Sequence, residues 1–575
     1  MPNRKILFAS FLIVAIPFLI TRLPFFLDYP LVAIDPDYLH YYTIVDQFNK
    51  GFFPTFIIRT PGYPIFLKLI YTFFDSIMAV VVIQNILSLM TALFFVYVIY
   101  RVYAGRWKYL PLTAAIAMAA FISSNNHLMA DISLLTESLF VNFTILFFAF
   151  LILALHYKTH WLWLACSFSM ASVILIRPTG VFLILIFLIV LVFLFIKQWA
   201  AETEKNAGNK ESDEKQKKVL FFRTLVHFIK RRDTLSFSLP FAGILLLLSA
   251  YNYFTVGYFT LTGLYSEHAL VSFTATFLEK KDTYDPEINK IIDEAKKKIM
   301  PHYKEVRDNS WDYIKLNRVL RRYYNRNRDF LFTSLLSLEE KDSFALYLKW
   351  RPLLSDMGRS AIKKHPILYL KYFYSNLVIY FFHNMNDPDF YQKLKQRYWK
   401  TKHLKNYYGR YIREGSSIRR YYKKAYAETL SDDFLKSFLK ELWEPEPLPI
   451  FKIGNVKEKE VRIEPTFLQG VHRVYKKFHD FLFRNITWSF IFIFVLCFSF
   501  IKLVKSRFRH TGSLIMFTLT LSALLHGFII CMFSFAILRY SYTMEFAYYL
   551  SLFLFPLVLI PEPGEKAAPA IPDHG

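Results

Sequence analysis

Ten apolar runs constrain this chain more than any other feature: residues 6–26, 78–101, 109–125, 134–156, 160–176, 179–197, 236–254, 484–504, 512–536 and 543–560. A helix needs roughly 20 apolar residues to cross hydrocarbon, and backbone inside lipid must satisfy its own hydrogen bonds. Runs of this length therefore predict an all-α polytopic membrane protein with about ten transmembrane helices. Composition agrees, since 54% of the 575 residues are hydrophobic and 19% aromatic, well above a soluble multidomain chain. The run at 6–26 follows Arg4 and Lys5 as a signal peptide would. It is longer than an h-region and lacks a small-x-small cleavage site, so it is expected to remain as the first span.

A formal charge of +25 raises the question of nucleic acid. No zinc-ligand spacing, RNA-binding signature or compact basic domain accompanies it, and the basic residues gather beside spans, so nucleic acid is excluded and membrane lipid phosphates are the expected anionic partner. The basic connections are the N-terminus, Arg101 to Lys108, Lys197 to Arg232 and Lys502 to Arg509. They alternate with basic-poor ones, which predicts that both termini are cytoplasmic. Cys166, Cys497 and Cys531 lie within apolar runs and read as small hydrophobes, with no disulfide framework.

The chain then divides into an N-terminal transmembrane module (1–254), an extracytoplasmic, mostly helical domain (255–483), C-terminal transmembrane helices (484–560) and a Pro/Ala-rich tail (561–575) expected to be disordered. The first module carries an external loop at 27–77 and a cytoplasmic linker at 198–235, of which 198–218 is poor in hydrophobics and expected to be mobile. Within the 255–483 block, residues 321–330 and 397–428 combine Arg, Lys and Tyr. Two readings stand there: binding of an anionic glycan or lipid headgroup, or a solvated basic face snorkelling at the bilayer surface.

Topology sends the few polar residues at span ends to one side. If residues 37–49 are helical, Asp37 shares a face with Tyr41 and Tyr42; Gly51 then ends the helix, and Arg59-Thr60-Pro61-Gly62-Tyr63-Pro64 makes a stiff entry to the next apolar run. Glu137 in LLTESLF, Arg177 in IRPTG, and Arg539 with Tyr540 in LRYSYTMEF fall on the same outer side. Ionisable groups at membrane depth are costly and usually face a cavity, so their gathering marks a site. Each has a plainer alternative. Glu137 is also placed as a helix N-terminal acid with Thr136 as cap, Arg177 as an anchor of a short turn to lipid phosphate, and Asp35, ahead of Pro36, as the start of the following helix. His127 and His268 read as hydrogen-bonded loop histidines rather than metal ligands. No Gly-rich phosphate loop, Ser-His-Asp order or zinc motif is present.

These stretches together resemble the GT-C membrane glycosyltransferases, in the branch of protein O-mannosyltransferases and lipid A aminoarabinose transferases. The landmarks are Asp37, Tyr41, Gly51 and Arg59 to Pro64, then LLTESLF (134–140), RPTG (177–180), YNYFTVGYFTLTG (251–263), AIKKHPILYL (361–370) and RYSYTMEF (539–546), in the family's order. Where the protein mannosyltransferases carry an Asp-Glu pair, this chain has Asp35-Pro36-Asp37, which leaves open which Asp is the base. Residues 385–476 match nothing in that family.

The resemblance implies a GT-C fold and transfer of a sugar, with inversion, from a polyprenyl-phosphate donor to a glycan, lipid or protein acceptor at the extracytoplasmic face. It implies Asp37 or Asp35 as catalytic base, and Arg59, Tyr63, Glu137, Arg177, Arg539 and Tyr540 as substrate-binding residues. The lipid-phosphate sugar is a co-substrate; no cofactor is required, and nothing in the sequence supports a divalent metal. A transporter or flippase of lipid-linked glycans, or a transferase like the O-antigen ligases, remains the alternative; a transporter would show two related halves, which residues 1–254 and 484–560 do not.

Overall fold

The computed structural model describes residues 4–28, 41, 44, 45, 48, 59–74, 77–206, 214–261, 270, 271, 274, 277–294, 296, 297, 345–382, 467–483, 488–533 and 543–560. Asp35, Asp37, Tyr42, Gly51, His268, Arg539, Tyr540 and the basic stretches 321–330 and 397–428 lie outside them.

Every element among the described residues is helical. In chain order these are α1 (Arg4–Asp28), α2 (Gly62–Phe74), α3 (Ile77–Tyr103), α4 (Leu110–Ile122), α5 (Asn125–Ile132), α6 (Glu137–Tyr157), α7 (His160–Ile176), a 3-10 turn (Pro178–Val181) and α8 (Phe182–Asn206). They continue with α9 (Glu214–Lys230), α10 (Arg232–Val256), α11 (Ala345–Lys364), α12 (Pro366–Phe382), α13 (Phe467–Phe483), α14 (Trp488–Lys505), α15 (Thr511–Phe533), α16 (Glu545–Phe553) and α17 (Pro556–Leu559).

Among the described residues six segments are long and apolar enough to cross a membrane: Arg4–Pro24, Met78–Tyr103, Glu137–Tyr157, Pro178–Thr203, Arg232–Phe254 and Thr511–Met532. The chain is thus an all-α membrane protein. The other apolar runs also hold helix, but α4 and α7 are shorter, and the last run breaks at Phe555-Pro556 into α16 and α17. Pro lacks the donor that would continue the helix.

Antiparallel packing gives the bundle two distinct ends. At one end the C-terminal half of α8 meets α14 and α15 through Phe193, Leu503 and Leu514, and His510 Nε2 lies 2.8 Å from the carbonyl of Ile560. The Lys/Arg-rich connections belong to this end. The opposite end carries the start of α6, the end of α7 and the entry to α2.

The linker expected to be mobile is helical where described, because α8 continues to Asn206 and α9 begins at Glu214. Ala200, Ala201 and Glu202 are good helix formers, and Gln198 donates to Glu202 Oε1 at 2.9 Å across one turn.

Parts of the 255–483 block pack against the apolar helices. Tyr369 Oη donates to the carbonyl of Met532 at 3.0 Å, and Phe373 lies 5.5 Å from Phe528, so α12 runs beside α15. Val271, Phe277 and Ile292 form a small core with Leu354 and Met357 of α11 and Tyr372 of α12.

Candidate functional site

Gly62 anchors the site. A Cβ there would meet the Leu175 carbonyl at 2.7 Å and Ile176 N at 2.9 Å, so only glycine lets the 59–64 stretch lie against the end of α7. Ile65 N–H donates to the Pro61 carbonyl at 2.9 Å and starts α2, with Pro64 in the first turn, where its missing donor costs nothing. This docking brings the RTPGYP stretch to the IRPTG stretch.

Tyr63 is fully buried, and its hydroxyl donates to Gln84 Oε1 at 3.1 Å. Gln84 Nε2 in turn donates to the carbonyls of Asp131 and Ser133 at 3.1 and 3.0 Å. The Tyr41 ring stands edge-on to Tyr63 at 4.9 Å, and the Arg59 guanidinium lies 5.1 Å from the Tyr41 ring. Tyr41, Ile44, Val45 and Phe48 are all helical, and their spacing puts them on one face.

Glu137 occupies the first turn of α6, where the helix dipole favours a carboxylate. The plainer reading holds for its place as a helix N-terminal acid behind Thr136 at the N-cap position, although Thr136 makes no side-chain cap bond. Arg177 Nη1 approaches Glu137 Oε1 at 3.1 Å, with both side chains largely buried. Arg177 is therefore not a lipid anchor on a surface turn; its guanidinium sits over Phe140 at 5.6 Å. Phe140, tilted, and Phe182, edge-on, each lie 5.5 Å from His526, and His526 Nδ1 is 2.6 Å from Tyr380 Oη. Thr543 Oγ1 completes the ring of contacts at 3.5 Å from His526 Nε2.

Of the residues expected from sequence, Arg59, Tyr63, Glu137 and Arg177 come together at the end of the bundle opposite the basic connections. Asp35, Asp37, Arg539 and Tyr540 lie outside the described residues. His526, Tyr380 and Thr543 were missed; His526 and Tyr380 are single polar residues in an apolar context, and Thr543 lies inside the RYSYTMEF stretch, where nothing singles it out.

A second buried network was also missed. Arg22 Nη2 pairs with Asp131 Oδ2 at 2.8 Å, and Arg22 Nε donates to Asn85 Oδ1 at 3.0 Å. Ser88 and Ser138 hydroxyls donate to Asp131 Oδ1 at 2.8 and 2.7 Å, and Asn142 donates to Ser88 at 3.0 Å. This ties α1, α3, α5 and α6 through one carboxylate. The signal was the arginine inside the first span and the polar residues scattered through the second and fourth, which matter only jointly.

The helix α13 closes over the same region with its polar face inward. Lys476 Nζ donates to the Ser123 carbonyl at 3.1 Å, and Tyr475 Oη to Ser123 Oγ at 3.0 Å. His479 Nε2 is 2.9 Å from the Ala120 carbonyl, and Ser124 Oγ donates to Glu545 Oε2 at 3.3 Å. Burial pulls Lys476 down to about 8 against the opposing pull of Asp480 and Glu545. His472 is lowered to about 3 by burial and then by Lys476 and Arg22. His127 is lowered to about 4, mainly by burial, although Asp131 opposes it.

Among the described residues no three His, Cys, Asp or Glu side chains gather as metal ligands do. The fold and its buried ion pairs define an all-α membrane protein with a charged, aromatic-lined cluster at one end of the bundle. Comparison with protein-family models, curated proteins and solved structures gives no match.

Proposed function

We propose that this chain is a GT-C-type glycosyltransferase with about ten spans, moving a sugar from a polyprenyl-phosphate donor to an acceptor at the extracytoplasmic face. One observation carries the reading: the stretches RTPGYP, LLTES and RPTG, far apart in sequence, meet through Gly62 on Leu175 and Arg177 on Glu137. Those are three of the landmarks on which the family resemblance rests, and the docking supplies a reason for their residue types.

In this mechanism Asp37, with Asp35 as the alternative, accepts the proton of an acceptor hydroxyl. The acceptor oxygen attacks the anomeric carbon from the face opposite the phosphate, and the bond from that carbon to the phosphate oxygen breaks, inverting the centre. Polyprenyl phosphate leaves with the bonding pair. Arg59, held over Tyr41, stabilises the charge that grows on the departing phosphate. Arg177 is already neutralised by Glu137, so its role is to hold the α6–α7 corner and shape the sugar pocket, with Arg539 and Tyr540 supplying the remaining phosphate contacts. An apolar cleft of about 400 Å³ between α14 and α16, lined by Phe490, Phe494, Leu552 and Phe555, suits an isoprenoid tail.

The test is chemical. Lipids extracted from cells lacking the protein should accumulate one polyprenyl-phosphate sugar, which identifies the donor. An unchanged pool of such lipids on the outer leaflet, with a rise confined to the cytoplasmic leaflet, would favour a flippase instead.

A further inference from the structure

The basic end of the bundle holds a second cavity that sugar transfer does not use. It has a volume of about 280 Å³ and is lined by Lys158, Lys197, Arg231, Gln198 and Asp233 above Trp163, Phe193 and Phe228. Three cations face one acid there. Nothing in the lining depends on the glycosyltransferase reading.

Its polar rim is built. Arg231 Nη2 pairs with Asp233 Oδ2 at 2.8 Å, and its Nη1 donates to Gln198 Oε1 at 3.2 Å, which fixes the guanidinium plane. Lys158 occupies the left-handed region at φ 54°, where its N–H caps α6 on the Ala154 carbonyl at 2.9 Å. The Lys197 ammonium lies 5.7 Å from the Phe193 ring. The floor is apolar and buried: Trp163, Phe193 and Phe228 are 2%, 1% and 5% exposed.

Depth decides the occupant. The rim lies where the apolar segments Glu137–Tyr157, Pro178–Thr203 and Arg232–Phe254 end or begin, which is the headgroup level of a bilayer. Beside it, α9 turns Phe222, Val226 and Ile229 outward, at 64%, 51% and 53% exposure, as a helix lying in the interface does. A soluble anion would not call for that lipid-facing wall.

We infer that the Lys158–Lys197–Arg231 cavity binds the phosphate of an anionic phospholipid headgroup from the leaflet at the basic end, with the glycerol and upper acyl chain against Trp163 and Phe228.

The experiment uses the full chain in neutral detergent, titrated with phosphatidylglycerol, with phosphatidylcholine and with inorganic phosphate alone, and read by native mass spectrometry. Phosphatidylglycerol should bind in preference to phosphatidylcholine and weaken as salt rises. Lys158→Gln should lose about fivefold in affinity, and Lys158→Gln with Lys197→Gln about thirtyfold, from the usual worth of a cation beside anionic lipid. Lys158 is exposed, so its single variant keeps the test intact should the double variant fold poorly. Neutralising Lys502 and Lys505, at the end of α14, serves as the control for general positive charge and should leave affinity unchanged. Equal binding of both lipids, equal loss in the control, unchanged affinity in the Lys158 variant, or displacement by inorganic phosphate at matching affinity would each overturn the assignment.

Discussion

Asp131 and Glu137 are near neighbours in sequence, yet their carboxylates do different work. Asp131 accepts from Arg22, Ser88 and Ser138, so its charge is met on both oxygens at the junction of four helices. Removing one partner of such a buried pair typically costs about 3–5 kcal/mol. Asp131→Leu should therefore abolish stable expression, or lower the melting midpoint far more than a surface change does, in a detergent thermal-shift assay. Glu137 and Arg177 are a simpler pair, and a double-mutant cycle to Gln and Leu should show coupling of about 1–3 kcal/mol; additive losses would mean that the two act separately. The histidines add a pH dependence. Folded His127 and His472 stay neutral down to about 4 and about 3, whereas the unfolded chain takes up protons near the ordinary value of 6.5. Below that value the unfolded state binds more protons, so stability should fall as pH drops from 6.5 toward 4. In His127→Gln with His472→Gln the same melts should flatten across that window. Glu137 was legible from sequence because an acid at the head of an apolar run stands out. Asp131 was not, since Arg22 and Ser88 lie far away in chain order and each looks minor alone.

At the scale of elements, the RTPGYP entry was readable because Pro and Gly punctuate an apolar chain. The contact that explains its glycine, against the end of α7, was not. Gly62→Ala should push the α2 entry off Leu175, at a cost of about 1–3 kcal/mol for overpacking, with sugar transfer falling more than stability because Tyr63 and Arg59 move with it. Wild-type melting and turnover in that variant would show that the docking is looser than its geometry. The helix α13 teaches the reverse lesson. Its periodicity announces two faces, but which one turns inward depends on the solvent outside. Here His472, Lys476 and His479 are buried while Val474, Phe478 and Phe481 are exposed, an arrangement suited to lipid outside and a polar core within. Residues read as part of a hydrophilic block thus become a lining of the bundle. Likewise, helix in the 198–206 stretch was hidden by its charge, since hydrophilicity alone does not distinguish a solvated helix from a linker.

At the scale of the molecule, the apolar runs made an all-α membrane fold legible from the start, and all of the runs hold helix. The 160–176 run was read at its full length, since α7 spans the same residues, whereas α4 is shorter than the 109–125 run and the last run is broken into α16 and α17. The segregation of Lys and Arg to one end follows from alternation along the chain, and it predicts sidedness: a cysteine at Lys215 should resist an impermeant reagent in intact cells, and one at Gly409 should react. The central claim is sugar transfer from a lipid phosphate with Asp37 as base. Its most direct measurement is single-turnover transfer from a radiolabelled polyprenyl-phosphate sugar in proteoliposomes, comparing wild type with Asp37→Asn and Asp35→Asn. Asp37→Asn should bind donor normally and turn over roughly 10²- to 10⁴-fold more slowly, as expected for loss of an acid-base group. Loss confined to Asp35→Asn would move the base two residues upstream, whereas undiminished transfer in both variants, or none from the wild-type protein with the donor that accumulates in its absence, would contradict the account.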